Sequence, residues 1–320
     1  MKQMIRKYIQ ILLYFSPGFI RERAGKIIAK HEYAQAMERM KRTKVSKEGI
    51  AVALDKLDMD CDVMFHISTM NIGKMAGGVK FLSEQIAGHS DLSRHTLLFS
   101  ALPYRGRFEE YLKTNPTFDV RTAPVAMGAV NEYFALRADS FRSLHPTHSV
   151  VAIGARAEEY TRDHHTDLTP FGPHSPYYKL LVNGGKIVLF GATVHNLTFF
   201  HVFEDLLGPA FPVKNIYTEP FRTRVIDRQG KELYVITPCH RTLQGIRRKY
   251  GGTAVIEKLS GDGAIRKVAK IGEGEVSVVD TRRFAVSYLE LILQGQSIYG
   301  RHRVTRELEN KINTLVRQFK

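Results

Sequence analysis

Apolar runs separated by polar, turn-forming stretches predict a chain that alternates strands with helices. Four short apolar runs have the length and composition of buried strands. The stretches 79–86 and 197–207 instead repeat apolar residues at helical spacing. We therefore expect an α/β fold with a mostly parallel central sheet and helices on both faces. The predicted strands are 62–67, 96–100, 149–153 and 185–191.

Later segments predict an antiparallel hairpin and closing helices. Residues 212–238 contain two strand-like runs around the turn Asp227-Arg228-Gln229-Gly230. The segments 289–293 and 306–319 have the pattern of helices that close the fold. The sequence shows no internal repeat and no low-complexity segment.

Composition excludes a disordered chain and points to an anionic partner. Of the 320 residues, 43% are hydrophobic and 25% are charged, close to the globular average. The 47 Lys and Arg against 32 Asp and Glu give a net charge of +15. Nucleic acid, an anionic membrane or a phosphorylated small molecule would each fit this excess, and charge alone does not choose among them. Only Cys61 and Cys239 are present, which argues against a disulfide scaffold and suits a reducing cytoplasm.

Residues 1–48 are predicted to form a basic, amphipathic helical extension, and residues 49–320 the main domain. The first 50 residues hold twelve Lys or Arg and four Glu, a net charge of +8. The apolar block 8–15 is shorter than the roughly 20 residues of a transmembrane helix, and no small-x-small cleavage site follows it. Two interpretations stay open: contact with an anionic membrane through residues 1–30, or a helix packed on the protein body. We expect a cytoplasmic protein, at the inner face of the membrane if the first interpretation holds.

Two segments of the main domain carry candidate chemistry. The Gly-rich segment, residues 68–78, links a predicted strand to a helix but lacks both the Walker and the G-x-G-x-x-G pattern. It is either a phosphate-approaching loop or a tight turn. The histidine loop, residues 143–149, places His145 and His148 around a proline just before a strand. An imidazole there can accept a proton near neutral pH.

A third candidate lies on the predicted helix at 197–207. His201 and Glu204 are three residues apart and therefore share a helix face. No histidine spacing in the chain matches a usual zinc pattern, and H-E-x-x-H is absent. We expect no metal.

Several blocks, taken in order, resemble the aminoglycoside 3-N-acetyltransferase family. Among them are Arg142-Ser143-Leu144-His145-Pro146-Thr147-His148-Ser149-Val150 and Asn196-Leu197-Thr198-Phe199-Phe200-His201. The similarity runs from about residue 45 to residue 290, and its strength lies in the order of the blocks. The remaining blocks are 65–68, 72–73, 76–78, 127–132, 169–177 and 184–187.

The resemblance implies acetyl transfer from acetyl-coenzyme A to a primary amine of a sugar. It maps the general base to His148, and an acidic residue that orients the imidazole to Glu204. It implies that the acyl carrier is bound by Ser68, Thr69, Ile72, Gly73, Ala76, Gly77, Gly78 and Thr147. The residues expected to contact the substrate are Arg142, His145 and His201.

The basic charge directs our expectation of the acceptor. Drug-modifying members of the family bind a polycation, whereas Arg105, Arg107, Arg137 and Arg142 lie near the candidate site in sequence. We expect an amino sugar linked to a nucleoside diphosphate, used in surface polysaccharide synthesis.

Two alternatives and one question stay open. The first alternative is an aminoglycoside-resistance acetyltransferase. The second is a non-catalytic basic protein that binds nucleic acid or membrane, which is disfavoured because no nucleic-acid motif is present. The sequence does not decide whether the chain forms a homo-oligomer.

Overall fold

A computed structural model describes residues 33–106, 108–214, 216–238 and 242–320, together with Ile27 and His31. Of the fourteen strands in the described residues, seven form one sheet and the other seven form three smaller sheets. The strands are β1 (Lys44–Val45), β2 (Val63–Ile67), β3 (Lys74–Met75), β4 (Thr96–Ser100), β5 (Thr117–Asp119), β6 (Phe141–Arg142), β7 (Val150–Gly154), β8 (Lys186–Phe190), β9 (Phe221–Ile226), β10 (Glu232–Thr237), β11 (Ile265–Ile271), β12 (Gly274–Asp280), β13 (Gln296–Ser297) and β14 (Gly300–Arg301).

The central sheet is mixed, which corrects the expectation of a mostly parallel one. Its spatial order is β11-β12-β8-β2-β4-β7-β6. Only β8, β2 and β4 run parallel to one another, whereas β7 pairs antiparallel with β4 and β12 pairs antiparallel with β8. The four predicted strands are its adjacent members β8, β2, β4 and β7. Their direction was missed because a strand buried on both faces is apolar throughout, whichever way its neighbours run.

Helices cover both faces of the sheet, as the sequence predicts. In β2, Met64 packs into the core on one face, while Val63 and Phe65 pack into the core on the other. This alternation is the two-residue period of a strand. The helices are α1 (Lys47–Leu54), α2 (Thr69–Ile72), α3 (Gly78–Gly88), α4 (Phe108–Thr114), α5 (Ala129–Ala135), α6 (Ala157–Thr161), α7 (Pro176–Val182), α8 (Phe200–Leu207), α9 (Thr242–Gly261), α10 (Thr281–Leu293) and α11 (Arg306–Phe319).

Several helices begin where a side chain caps the first turn. Ser46, Ser175, Asp280 and Thr305 each accept a hydrogen bond from the backbone N–H three residues later. Such a cap satisfies one of the N–H groups that an α-helix leaves unpaired at its start. The last of these helices, α11, confirms the predicted closing helix at 306–319.

A three-stranded sheet, in the order β10-β9-β5, lies beside the main sheet. The antiparallel pairing of β9 with β10 confirms the predicted hairpin, in which Glu232 lies opposite Ile226. A small core that includes Phe118, Val225 and Val235 holds this sheet together. The hairpin ends at Thr237, which is fully buried.

The start of the described chain already pairs with the main domain. Residues 33–42 are largely helical, and β1 then pairs parallel with β3, with Lys44 opposite Lys74. The predicted extension lies mainly outside the described residues, as does most of the segment proposed to contact a membrane. No helix in the described part of the chain is long and apolar enough to cross a membrane.

One buried carboxylate fixes the end of the sheet opposite the histidine loop. Asp62, which is 2% exposed, accepts hydrogen bonds from the Thr96 backbone N–H at 2.9 Å and from the Tyr160 hydroxyl at 2.6 Å. It also pairs with the guanidinium of Arg156, which is itself partly exposed. Three elements therefore meet at one anion.

We predict that Asp62→Ala destabilises the fold by about 2–4 kcal/mol, because it leaves several buried donors without a partner. Urea unfolding would measure the change. Lys80→Ala is the control, because Lys80 and Glu84 form an exposed pair 3.8 Å apart, and it should cost less than about 1 kcal/mol. Equal losses of unfolding free energy in the two variants would show that the interactions of Asp62 stabilise the fold no more than an exposed ion pair does.

Candidate active site

A buried arginine anchors the histidine loop between β6 and β7. The guanidinium of Arg142 donates to the carbonyls of Ala101 at 2.7 Å, Ala123 at 2.5 Å and Pro124 at 2.9 Å. It also donates to Ser149 Oγ at 3.2 Å, and burial lowers the pKa of Arg142 to about 10. These bonds commit most of its N–H groups to the protein. The geometry therefore favours a loop-anchoring role for Arg142 over the predicted contact with substrate.

His145 is fully buried, and its partners define its tautomer. Its Nδ1 accepts the backbone N–H of Thr147 at 3.3 Å and that of His148 at 3.1 Å. Because these groups can only donate, Nδ1 is unprotonated and the proton lies on Nε2. That nitrogen donates to Thr237 Oγ1 at 3.2 Å. Burial holds the pKa of His145 well below its usual value, so the ring is neutral and fixes the backbone of the loop.

His148 lies at the inner end of the loop with 6% of its surface exposed. Its Nδ1 is 2.9 Å from Thr147 Oγ1. Its ring contacts Phe171 at a centroid distance of 5.1 Å and Phe108 at 6.4 Å. Thr147 thus contacts the imidazole predicted to act as the base, and its contact with the acyl carrier stays a prediction.

A second imidazole pairs with a buried carboxylate on α8. His201 Nδ1 is 2.9 Å from Glu204 Oε2, and the Tyr299 hydroxyl donates to Glu204 Oε1 at 2.7 Å. The Phe171 ring lies 5.1 Å from the rings of both His201 and His148. The structure thus brings both predicted catalytic residues, His148 and Glu204, around one aromatic side chain.

His164 supports the loop from behind. Its ring stacks on His145 at 4.6 Å, and its Nε2 faces the Pro170 carbonyl at 2.9 Å. Since a carbonyl only accepts, Nε2 carries the proton, and Nδ1 accepts from Ser143 Oγ at 2.9 Å. Burial lowers the pKa of His164 to about 3, which keeps this ring neutral.

The Gly-rich segment meets the same edge of the sheet through β2. Its first half is partly buried: Ile72 is fully inside, and a Cβ on Gly73 would lie 2.6 Å from the Thr43 carbonyl. The backbone N–H of Ala76 bonds to the carbonyl of Val45. These positions therefore have structural roles. Their contact with the acyl carrier stays a prediction.

The second half of the segment leads into α3. Gly77 and Gly78 both have positive φ, and space is open around Gly78. No side chain among the described residues caps this helix at its start. Its first backbone N–H groups therefore suit an anion.

Acidic groups are more numerous around this site than the net charge suggests. Asp205 accepts the Phe171 backbone N–H at 3.0 Å and the Tyr217 hydroxyl at 2.7 Å. Glu109 and Glu110 lie in the first turn of α4, directly after Phe108. In the described part of the chain, no group of three or more His, Cys, Asp or Glu could hold a metal ion.

The basic residues expected at the site are mostly engaged elsewhere or not described. Arg137 pairs with Asp139 at 2.6 Å, and Arg142 is buried as above. Arg107 lies outside the described residues, and Arg105 is exposed. Of the arginines that suggested an anionic acceptor, Arg137 and Arg142 are therefore committed to partners within the protein.

Sequence reasoning assigned no role to Phe171, Tyr299 or Thr237. Phe171 lay within a recognised block, but an aromatic residue in a polar loop gives no indication of which rings it will touch. Tyr299 and Thr237 reach the site from 95 residues after Glu204 and 92 residues after His145. No short-range pattern connects residues so far apart.

Comparisons with known proteins point to one family. A sequence model of the family described as aminoglycoside 3-N-acetyltransferase matches residues 64–291. Aminoglycoside N(3)-acetyltransferase VII of Streptomyces paromomycinus is 32% identical over 182 residues. That alignment covers 52% of this chain and 60% of the relative. The chain thus spans less than two thirds of that protein.

Solved structures support the fold. A structure titled AAC-IIIb binary with CoASH has a TM-score of 0.62 at 20% identity, over 78% of this chain and 97% of that one. One titled AAC-VIa bound to sisomicin has a TM-score of 0.62 at 22% identity, over 80% of this chain and 100% of that one.

These findings correct the expected acceptor and confirm the expected class of enzyme. The family model and the similar proteins name aminoglycosides, so the nucleotide-linked amino sugar and the role in polysaccharide synthesis are wrong. The expectation of an acyltransferase stands, since the family model covers most of the chain, including the histidine loop. The chain belongs to the aminoglycoside 3-N-acetyltransferase family.

Proposed function

We propose that this protein acetylates an amino group of an aminoglycoside antibiotic, with acetyl-coenzyme A as the donor, and so confers resistance. The observation that carries the proposal is the family match over residues 64–291, which contains a buried histidine loop with a defined hydrogen-bond network. Neighbours in fold are titled with CoASH and with sisomicin, which agrees with both substrates.

His148 is the base in this proposal. If His148 donates from Nδ1 to Thr147 Oγ1, its Nε2 is the nitrogen that accepts a proton. The acceptor amine, once neutral, forms a nitrogen–carbon bond to the acetyl group while Nε2 takes the amine proton. The carbon–sulfur bond breaks and the thiolate leaves, so no acyl group is attached to the protein. Acetyl-coenzyme A supplies the activated acetyl group as a thioester.

Glu204 acts in the proposal as an anion that stabilises positive charge near His148. It is 2% exposed, so its negative charge is weakly screened by water. The Tyr299 hydroxyl and the His201 imidazole hold its two oxygens in place. A fixed carboxylate on the far side of Phe171 favours the protonated form of His148 that proton transfer creates.

Two neutral imidazoles favour the same chemistry. His145 and His164 both lie close to the loop and are held neutral by burial. A protonated neighbour would repel the cation that forms on His148, and their neutrality avoids this cost.

In this proposal the two substrates bind at different places: the acyl carrier at the start of α3, and the acceptor near carboxylates that follow Phe108 and contact Phe171. The positive end of a helix suits the phosphates of the acyl carrier, and Gly77 with Gly78 lets them approach the backbone. Asp205, Glu109 and Glu110 offer negative charge to a polycationic acceptor.

The proposal is tested by thiol release from acetyl-coenzyme A with sisomicin, gentamicin and a nucleotide-linked amino sugar as acceptors. We expect turnover with at least one aminoglycoside and none with the nucleotide sugar. Mass spectrometry should show one added acetyl group on the drug. An enzyme that acetylates no aminoglycoside while retaining its folded structure would contradict the proposal.

We predict that His148→Ala lowers kcat for aminoglycoside acetylation by about 100-fold or more, the usual contribution of a general base. His89→Ala is the matched control, because His89 bonds to Asp55 and to the Gln85 carbonyl at the end of α3. The control should keep its rate within about twofold. If both variants behaved alike, His148 would not be the base.

We predict that His164 makes the fold sensitive to acid. Its pKa is about 3 when folded, against 6.5 as the ordinary value, so between these limits the unfolded chain binds one more proton. Stability therefore falls as the pH drops from 6.5 towards 3, by up to about 1.4 kcal/mol per pH unit from this group. In His164→Asn, the slope of unfolding free energy against pH should shrink by about that amount.

Urea unfolding at several pH values between 4.5 and 6 would measure the two slopes. The comparison uses slopes, so a uniform loss of stability in the variant does not affect it. Parallel lines for the wild type and the variant would show that His164 titrates normally in the folded state.

A further inference from the structure

The part of the chain that follows the family-matched range reaches into the candidate active site. The family model ends at residue 291, whereas β13, β14 and α11 come after it. We call residues 296–301, which contain β13 and β14, the C-terminal hairpin. Its residue Tyr299 donates to Glu204 Oε1 at 2.7 Å. A side chain from outside the matched range therefore contacts a carboxylate to which the proposed function gives a role.

The tip of the C-terminal hairpin is buried. Ser297 pairs with Gly300, which leaves Ile298 and Tyr299 as a turn of two residues. Such turns usually contain Gly, Asn or Asp and lie at the protein surface. Here Ile298 is 1% exposed and Tyr299 is 7% exposed. The hairpin thus points its tip into the protein, where it meets α8.

Contacts other than the one with Glu204 fix the position of the tip. The backbone N–H of Ile298 donates to the Tyr288 hydroxyl at 3.3 Å, and that of Tyr299 donates to Ser297 Oγ at 3.3 Å. The ring of Tyr299 lies 6.1 Å from the ring of Phe211. The phenol is therefore held in place from its backbone and from its ring.

The same helices support the hairpin and α8. The C-terminal hairpin contacts both α9 and α10, and α10 packs along α11, which in turn contacts α8. Four residues of α11 are buried in the core that also contains Phe200 and Phe203 of α8: Leu308, Ile312, Leu315 and Phe319. A close-packed core resists relative movement of the elements that share it. The phenol and the carboxylate are thus kept at a constant separation.

A buried carboxylate needs donors to keep both its charge and its orientation. His201 Nδ1 lies 2.9 Å from Glu204 Oε2, and Tyr299 provides the donor to the other oxygen. A hydrogen bond to the charged form of a carboxylate favours that form. The adjacent carboxylate, Asp205, has its own phenol, because Tyr217 donates to it at 2.7 Å. Tyr299 therefore serves Glu204, and its hydroxyl opposes rotation of the carboxylate away from His201.

We propose that Tyr299 is a positioning residue for acetyl transfer, which acts by holding Glu204 ionised and in one orientation. The C-terminal hairpin delivers this residue, so a segment beyond the family-matched range completes the site. The inference rests on the proposed function for the role of Glu204.

The first experiment compares the steady-state kinetics of Tyr299→Phe with those of the wild type. Loss of one hydrogen bond to a charged group should lower kcat about tenfold. KM for acetyl-coenzyme A and for the aminoglycoside should stay within about twofold, because a buried residue that acts through Glu204 binds neither substrate. Circular dichroism identifies a temperature at which every variant is folded, and the assays are run there.

Tyr160→Phe is the matched control. Tyr160 is also a buried tyrosine whose hydroxyl donates to a buried carboxylate, that of Asp62, at 2.6 Å, but at the opposite end of the sheet. The control should keep its kcat within about twofold of the wild type. A kcat in Tyr299→Phe that is unchanged, or that falls only as far as in the control, overturns the proposal. So does a variant that changes KM and leaves kcat intact.

The second experiment asks whether Tyr299 acts through Glu204. In a Glu204→Gln background the anion is absent, so the further change Tyr299→Phe should lower kcat by less than about twofold. A merely structural role for Tyr299 would instead lower kcat by the same factor in both backgrounds, and that result overturns the proposal.

Urea unfolding of the same four proteins separates this inference from the proposed function. If the wild type acetylates no aminoglycoside, the proposed function fails and the coupling is measured in unfolding free energy instead. Losses in the double variant that are smaller than the sum of the single losses would support Tyr299 as the residue that holds Glu204. Additive losses would overturn that assignment as well.

Discussion

The antiparallel pairing of β7 with β4 is the constraint on which the rest of the site depends. In β2, β4 and β8 the segment that follows the strand lies at one edge of the sheet. Because β7 runs the other way, the segment that precedes it, the histidine loop, lies at that same edge. A parallel β7 would place His148 at the opposite edge from the Gly-rich segment. The expectation of a mostly parallel sheet was thus wrong about β7, whose antiparallel direction brings the histidine loop and the Gly-rich segment to the same end of the sheet.

The buried polar groups of the loop fix its shape. All of its residues except Leu144 are buried, so their polar groups need partners within the protein. Arg142 supplies donors to carbonyls of neighbouring segments, and His145 accepts two backbone N–H groups. His145 also reaches Thr237 at the end of the β9–β10 hairpin, which connects the smaller sheet to the loop. A loop held from so many sides can keep an imidazole in one orientation, as proton transfer requires.

The sequence could predict those features that depend on residues close together in the chain. Apolar runs located the strands β2, β4, β7 and β8 within one residue at each end, and turn residues located the hairpin. Strand direction, the partners of Glu204 and the contact of His145 with Thr237 depend on residues far apart in the chain. The edge strand β11 and its neighbour β12 were missed as well. Exposed Arg and Lys residues interrupt the apolar pattern of β11.

The mistaken acceptor shows why net charge is a weak guide to a binding site. More than half of the excess of +15 falls in the first 50 residues, most of which lie outside the described structure. Of the arginines near the site in sequence, Arg142 is buried among carbonyls and Arg137 is paired with Asp139. Interactions between exposed charges fade within about 10 Å at ordinary ionic strength, so a substrate responds to the groups beside it. Asp205 accepts the Phe171 backbone N–H and Glu204 pairs with His201, while the Phe171 ring contacts both His148 and His201. Carboxylates therefore lie near the candidate base, although the chain as a whole is basic.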